Sequence, residues 1–299
     1  LISKKVGFSS SSTANIGVYF MPEYTGALRK MHVELPEQPD ASVQYSLALD
    51  NESVPLNEAL GQPISLSYTG QINCVHCNRK TKKSFSQGYC YPCFRKLARC
   101  DQCIVSPEKC HYHLGTCREP VWGEEFCMQD HYVYLANSSG LKVGITRGTQ
   151  IPTRWIDQGA VQAIPIYRVQ TRRQAGLVEM ALKAHVADKT NWRAMLKGSI
   201  DLVDMQRCAV EMCGLVEADV ALMQQEFGLQ AIMRLSDAKD VKINYPVQHY
   251  PEKIISHNFD KEPLVTGVLN GIKGQYLLLD SGVINLRKFG GYHITVVVG

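Results

Sequence analysis

The stretch YVYLANSSGLKVGITRGTQIPTRWIDQGA, residues 132–160, decides the fold when it is read together with its continuation to Trp192. Residues 132–135 form a β-rich run, residues 137–140 carry turn chemistry, and residues 141–146 return as a second strand, so the pair reads as a hairpin. Arg154 follows on a short helix-prone segment, and residues 163–169 make a third apolar run. In residues 176–186, Leu177, Ala181, Leu182 and Val186 share one helical face, which puts Glu179 on a flank able to reach a neighbouring cleft. Strand, turn, strand, helix, strand, helix is an α+β order: a three-stranded sheet with helices and a polar group at each joint.

Outward from this centre, both ends of the chain read as β. Residues 27–72 alternate short β-type runs with turns, and these strands are too few to enclose a good core by themselves. Residues 264–299 are strands broken at 271–274, 280–282 and 290–291. The expectation is a discontinuous β domain, 27–72 with 264–299, shaped as a barrel or sandwich with the other modules inserted between its halves. Tyr276, Arg287, Lys288, Phe289 and Tyr292 would suit an OB-like nucleic-acid platform. A scaffold whose aromatics are core is the favoured reading, because aromatics dominate cores.

Residues 1–26, with two lysines and a Ser/Thr-rich middle, make a poor signal peptide and are expected to be a flexible leader. Residues 199–263 are expected to be a helical segment followed by a connection. In its helical part Leu202, Val203, Met205, Val210, Met212, Leu215 and Val216 recur at helical spacing, and Cys208 and Cys213 read as free thiols in that packing.

The segment 73–131 reads as a zinc-binding module. Of 11 cysteines, nine fall between Cys74 and Cys127, and pairing of this kind suits thiolate metal ligands in a reducing compartment better than a secreted disulfide framework. Cys74, Cys77, Cys90 and Cys93 have the spacing C-x2-C-x12-C-x2-C, two thiolate knuckles able to close tetrahedrally around one Zn²⁺. Cys100, Cys103, Cys110, Cys117, Cys127 and His131 follow, interleaved with His111 and His113. One economical site is Cys100, Cys103, Cys127 and His131; its rival is Cys100, Cys103, Cys110 and Cys117, which could also hold an iron–sulfur cluster. One to three structural zinc ions are expected, with zinc preferred because histidines are interleaved. Around the first quartet, Lys82, Lys83, Arg95 and their basic neighbours alternate with Phe85, Tyr89, Tyr91 and Phe94, the pattern expected where cations meet phosphates and rings stack on bases. The bland alternative is a solvated positive face whose aromatics fill a small metal module.

The chain has 299 residues, 45% apolar and 20% charged, which is an ordinary globular composition, and its formal charge of +4 permits a nucleic-acid partner without requiring one. No run approaches the roughly 18–20 apolar residues that span a bilayer, so no membrane partner is expected. Together with the reduced cysteines this points to the cytoplasm, and oligomeric state is not legible.

The order Tyr134, Lys142-Val143-Gly144, Arg154, Glu179 resembles the GIY-YIG nuclease superfamily, in the branches that carry KVG at the second motif. The chain as a whole, cysteine module included, also resembles an uncharacterised bacterial zinc-finger-containing family of unknown function. The nuclease resemblance covers residues 132–198 and implies a hydrolase that cuts DNA or RNA with a divalent ion. Glu179 would hold Mg²⁺ or Mn²⁺, Arg154 would grip the scissile phosphate, and Tyr134 would orient or deprotonate the attacking water. Lys142, where the superfamily usually has a second tyrosine, would act as an electrostatic clamp, with Gly144, Arg147 and Asn191 contacting substrate. For Glu179 the competing role is a surface ion pair with Lys183 at i+4. For the whole protein the rivals are an inactive RNA-, DNA- or ribosome-associated adaptor, favoured by Lys142, and an iron–sulfur or redox sensor, favoured by the spare cysteines.

Overall fold

A computed structural model describes residues 22–38, 40–186 and 191–299. In chain order the first half contains β1 (Glu23–Ala27), β2 (His32–Glu34), β3 (Gln44–Leu49), β4 (Glu52–Pro55), β5 (Pro63–Asn73), β6 (Lys80–Thr81), α1 (Tyr91–Lys96) and α2 (Pro120–Cys127). The centre contains β7 (His131–Asn137), β8 (Leu141–Arg147), α3 (Thr153–Asp157), β9 (Gln162–Val169), α4 (Arg172–Lys183) and α5 (Trp192–Leu196). Then come α6 (Met205–Leu215), α7 (Glu217–Phe227), β10 (Ile232–Arg234), β11 (Val241–Lys242), β12 (Leu264–Lys273), β13 (Tyr276–Leu279), β14 (Gly282–Asn285) and β15 (Tyr292–Val298).

The two ends do meet. β5 lies between β15 and β12, β1 extends the sheet beyond β15, and β13 and β14 continue it on the other side, all antiparallel. β1 starts at Glu23, inside the stretch read as leader; residues 1–21 of that leader lie outside the described residues. With β6 pairing to β5 off this path, the sheet has seven strands and does not close, because β1 and β14 remain at opposite ends; of the expected barrel or sandwich, the closed barrel is absent. A separate sheet, β2-β3-β4, shares its core: Leu47 and Val54 from the small sheet pack with Leu66, Val265 and Ile294 from the large one. Phe289 and Tyr292, candidates for a nucleic-acid platform, are buried in this core, which matches the scaffold reading.

The central sheet is also larger than the sequence suggested. β8-β7-β9 is joined by β10 and β11, both pairing with β9, so it has five strands instead of three. These strands of two and three residues come from the segment expected to be helical and connecting. The β7–β8 turn uses Gly140 at φ 123°, a conformation that a Cβ would strain.

Period-two alternation gives this sheet two different faces. Tyr134 and Ala136 point into the first core beside Trp155 and Ile156 of α3, while Val133, Leu135 and Val143 join Val178 and Leu182 of α4 and residues of α6 and α7 in a second core. Cys213 is buried in that second core and Cys208 packs against it. α4 opens on a capping box, with Gln174 N donating to Thr171 Oγ1 at 3.3 Å and Thr171 N donating to Gln174 Oε1 at 2.9 Å. No helix among the described residues is long and apolar enough to cross a membrane.

Candidate functional site

β8 is the last strand of its sheet, and its open edge forms the floor of a cleft of about 890 Å³. Residues 143–147 of β8 line it, α3 contributes Arg154, Asp157 and Gln158, and α4 contributes Arg172, Glu179 and Lys183. The opposite wall is Ile104, Val105 and Pro107 from the cysteine module. Arg99 enters from the same module, and Lys30 and Arg287 enter from the β domain. Seven Lys and Arg side chains therefore face two carboxylates, which focuses a positive potential in a concave, partly desolvated space.

The two carboxylates differ. Asp157 is held by Lys30 at 2.6 Å, by Gln275 at 3.0 Å and by Arg287 at 3.6 Å, and its side chain is 4% exposed. Glu179 lies 3.2 Å from Lys183 at i+4, the surface pairing weighed from sequence, yet both partners line the cleft. Arg154 and Glu179, on different helices, thus share one polar hollow.

Tyr134 does not open into that hollow. It is fully buried, packs edge-on against Trp155 at 6.0 Å, and donates its hydroxyl to Gln158 Oε1 at 2.7 Å. Burial pushes its phenol up to about 12, against the nearby Arg154 guanidinium, which favours the ionised form and reaches the hydroxyl as a donor. A phenol of that kind positions Arg154 and is a poor acceptor for a proton from water. Gly144 stands opposite Tyr134 in register, and a Cβ there would lie 2.6 Å from the Tyr134 hydroxyl. The glycine is required by that hydroxyl as well as by the cleft.

Lys142 pairs with Ala136 in register, so it shares the Tyr134 face, and it is 3% exposed. It does not line the cleft. Burial first, and repulsion from Arg154 second, push its amine down to about 7. Lys142, expected as a clamp on substrate, is thus placed as a buried group that is repelled by Arg154. Arg147 does line the cleft and lies over the Phe126 ring at 4.7 Å. Asn191 does not line it; as the N-cap of α5 it accepts from Ala194 N at 3.2 Å and donates its own N–H to Ser139 Oγ at 2.9 Å.

Lys82, Lys83 and Arg95 are exposed on the cysteine module, outside the cleft. Arg95 lines a second hollow of about 370 Å³ with Arg118, and Arg99 and Val105 belong to both hollows, so the basic surface is continuous between them. Phe85 stacks on Phe94 at 5.7 Å and contacts Tyr91 at 5.4 Å. Phe85 and Phe94 are partly buried in this cluster, while Tyr91 is exposed.

The first cysteine quartet is built by β5, a tight turn and α1. Cys74 ends the strand pairing, Asn78 N–H closes the knuckle on Cys74 O at 2.9 Å, and Cys90 caps α1, which carries Cys93. The four sulfurs lie within 4.8 Å of one another, with Cys77 and Cys90 at 3.7 Å. Burial raises the Cys74 thiol, but the backbone around Cys77, Cys90 and His76 outweighs burial and brings it to about 6. Four thiols at this spacing could hold one structural zinc ion with no position left for water.

The later cysteines divide differently from either expected grouping. Cys103, Cys110, Cys117 and Cys127 line one small cavity, whereas Cys100 is buried beside Tyr89 and lines the Arg95 hollow instead. His131 is fully buried; its Nδ1 meets Gln129 O at 2.7 Å, burial pushes the ring down to about 4, and its Nε2 has no partner.

Sequence reasoning missed Arg172, Lys30, Asp157 and Gln158, and it placed Arg287 on a separate β-domain platform and not in this cleft. For Arg172 a signal existed, since the Thr171-x-x-Gln174 box announces a helix start and places an arginine in its first turn. Nothing local marks Lys30, and no local signal puts Arg287 beside α3; tertiary packing of the β domain brings both to the cleft.

No curated protein and no solved structure matches the chain. Residues 61–294 match the model of a family described as a protein of unknown function, DUF2797, and the chain belongs to that family.

Proposed function

We propose that the cleft grips the backbone of DNA or RNA and, with a divalent ion at Glu179, hydrolyses a phosphodiester bond. One observation carries this reading: Arg154 and Glu179 line the same basic cleft beside the Gly144 strand. Arg154, Arg147, Arg172 and Arg287 neutralise phosphates, with Arg154 held by Tyr134 from below. Glu179 is a single carboxylate open to the cleft, the kind of donor from which Mg²⁺ is held together with waters and substrate phosphate. When bound, the ion supplies charge to the transferring phosphoryl group and lowers the pKa of a water. In the hydrolysis a water oxygen bonds to phosphorus as the bond to the leaving oxygen breaks, and the water's proton passes out through the cleft while the leaving oxygen gains one. Lys183 has to release Glu179 for this, and the incoming phosphate offers it a new partner. The first cysteine quartet holds a structural zinc ion, and the basic surface running through Arg99 to Arg95 extends the track for the strand.

A second reading, binding without cleavage, is favoured by the Glu179–Lys183 ion pair and by the engagement of the Tyr134 hydroxyl with Gln158. End-labelled DNA and RNA, incubated with Mg²⁺ or Mn²⁺, separate the two readings. The wild type is expected to cut, and Glu179→Ala to lose about 100-fold or more of the rate while still retarding the strand in a gel. Retardation by both with cleavage by neither selects the second reading. Absence of retardation ends both.

A further inference from the structure

We propose a second zinc site formed by Cys103, Cys110, Cys117 and Cys127, which fixes the wall of the cleft opposite the sheet. All four line a cavity of about 10 Å³. Four cysteines around a space of atomic size are a tetrahedral thiolate donor set. Cys127 ends α2, and α2 comes close to Cys117 because its facing residue is glycine: a Cβ on Gly123 would lie 3.1 Å from Cys117 Sγ.

The stretch that carries these cysteines needs such a tie. Residues 101–119 contain short 3₁₀ turns and no strand, and Val105 and Leu114 are 80% and 66% exposed. A segment that buries so little has no core of its own, and metal binding then supplies the free energy that orders it. Asp101 and His111 line the same cavity, but each is already engaged by other side chains. Asp101 pairs with Arg118 at 2.7 Å and His111 at 3.5 Å, and His111 Nδ1 meets Thr116 Oγ1 at 2.8 Å. Asp101, Cys103 and His111 bring ligand atoms within 4.8 Å of one another, as the first quartet does, whereas the second quartet stands wider among the described residues. Binding therefore draws α2 and the Cys103–Cys110 loop together.

That movement matters to the cleft. The Cys103–Cys110 loop presents Ile104, Val105 and Pro107 to it, and Ile104 O accepts from Arg172 Nη2 at 2.7 Å. On α2, Trp122 and Phe126 stack at 4.8 Å and lie beneath Arg99 and Arg147, respectively. The site does not depend on the proposed hydrolysis.

The test is metal content of the purified full chain. Two zinc ions per chain are expected, falling to one in Cys110→Ser/Cys117→Ser and also to one in Cys74→Ser/Cys77→Ser. Asp101→Asn and His111→Ala are expected to keep two. Should the cysteine variants fail to fold, Co²⁺ titration of the metal-free wild type gives an independent reading: thiolate-to-cobalt absorbance is expected to rise in two equal steps. Saturation at one equivalent overturns the proposal, as does loss of the second ion in Cys100→Ser or His131→Gln, or in the Asp101 or His111 variants. Iron with acid-labile sulfide in place of zinc also overturns it.

Discussion

The two walls of the cleft rest on different physics. On one side β8, α3 and α4 are backed by two apolar cores, and Leu135, Val178 and Leu182 are each fully buried. A large aliphatic side chain hidden in this way contributes on the order of 2 kcal/mol. On the other side, residues 101–119 have 3₁₀ turns, exposed apolar side chains and cysteines. The lesson is that one cleft can take one wall from a scaffold with its own apolar core and the other from a cysteine-rich segment that has none.

The largest effect should come from removing metal. Treatment with a zinc chelator is expected to open residues 101–119 to protease while residues 131–182 stay protected, and to weaken nucleic-acid retention at least about tenfold. Uniform protection of both walls would break the comparison. Gly176 sits where the walls meet, and a Cβ there would lie 2.5 Å from Glu108 N and 2.7 Å from Pro107 Cβ. Gly176→Ala should cost about 2–3 kcal/mol in denaturant titrations and sensitise residues 101–119 to protease. Gly144→Ala, which crowds Tyr134 inside the sheet wall, should cost about 1–3 kcal/mol without that sensitivity. Equal sensitivity in both variants would argue for one cooperative unit.

The apolar half has an ionisable weak point of its own. Lys273 is fully buried, its amine has no hydrogen-bond partner, and it stands over the Tyr245 and Tyr250 rings at 5.2 and 5.4 Å. Burial pushes it down from 10.5 to about 8. Between those two values the unfolded chain binds more protons than the folded one, so stability should rise with pH across that window, and the penalty is complete below about 8. Lys273→Met is expected to remove that slope and to add about 2 kcal/mol at pH 7, as read by denaturant titration across pH. A variant that keeps the slope would show that other groups cause it. The smallest effect is expected from Thr171→Ala, which removes the cap of α4 at about 1 kcal/mol and should lower the melting temperature without changing zinc content.

Much of the sheet wall was legible, because alternation and turn chemistry act over a few neighbouring residues. The hairpin of Tyr134 and Gly144, the helix of Glu179 and the pairing of the chain ends all follow from such local patterns. β10 and β11 were not legible, since two or three residues carry no period. Lys142 sits on a strand whose register decides burial, and sequence alone did not show that Ala136 would face it. The first quartet could be read from two C-x2-C pairs, whereas the later cysteines allow more than one grouping and the C-x2-C spacing of Cys100 and Cys103 suggests a shared site, so only the fold separates them. Likewise, Ile104 and Val105 became cleft wall through packing on α4, which no local signal announces.

The placement of Trp122 has a practical consequence. Of the three indoles in the chain, Trp155 is buried against Tyr134 and Trp192 is stacked on Tyr276, while Trp122 lines the second cysteine cavity and faces Arg99. With Trp155 and Trp192 replaced by phenylalanine, the remaining emission spectrum becomes an optical gauge, sensitive on one side to what the sulfurs hold and on the other to what the guanidinium meets.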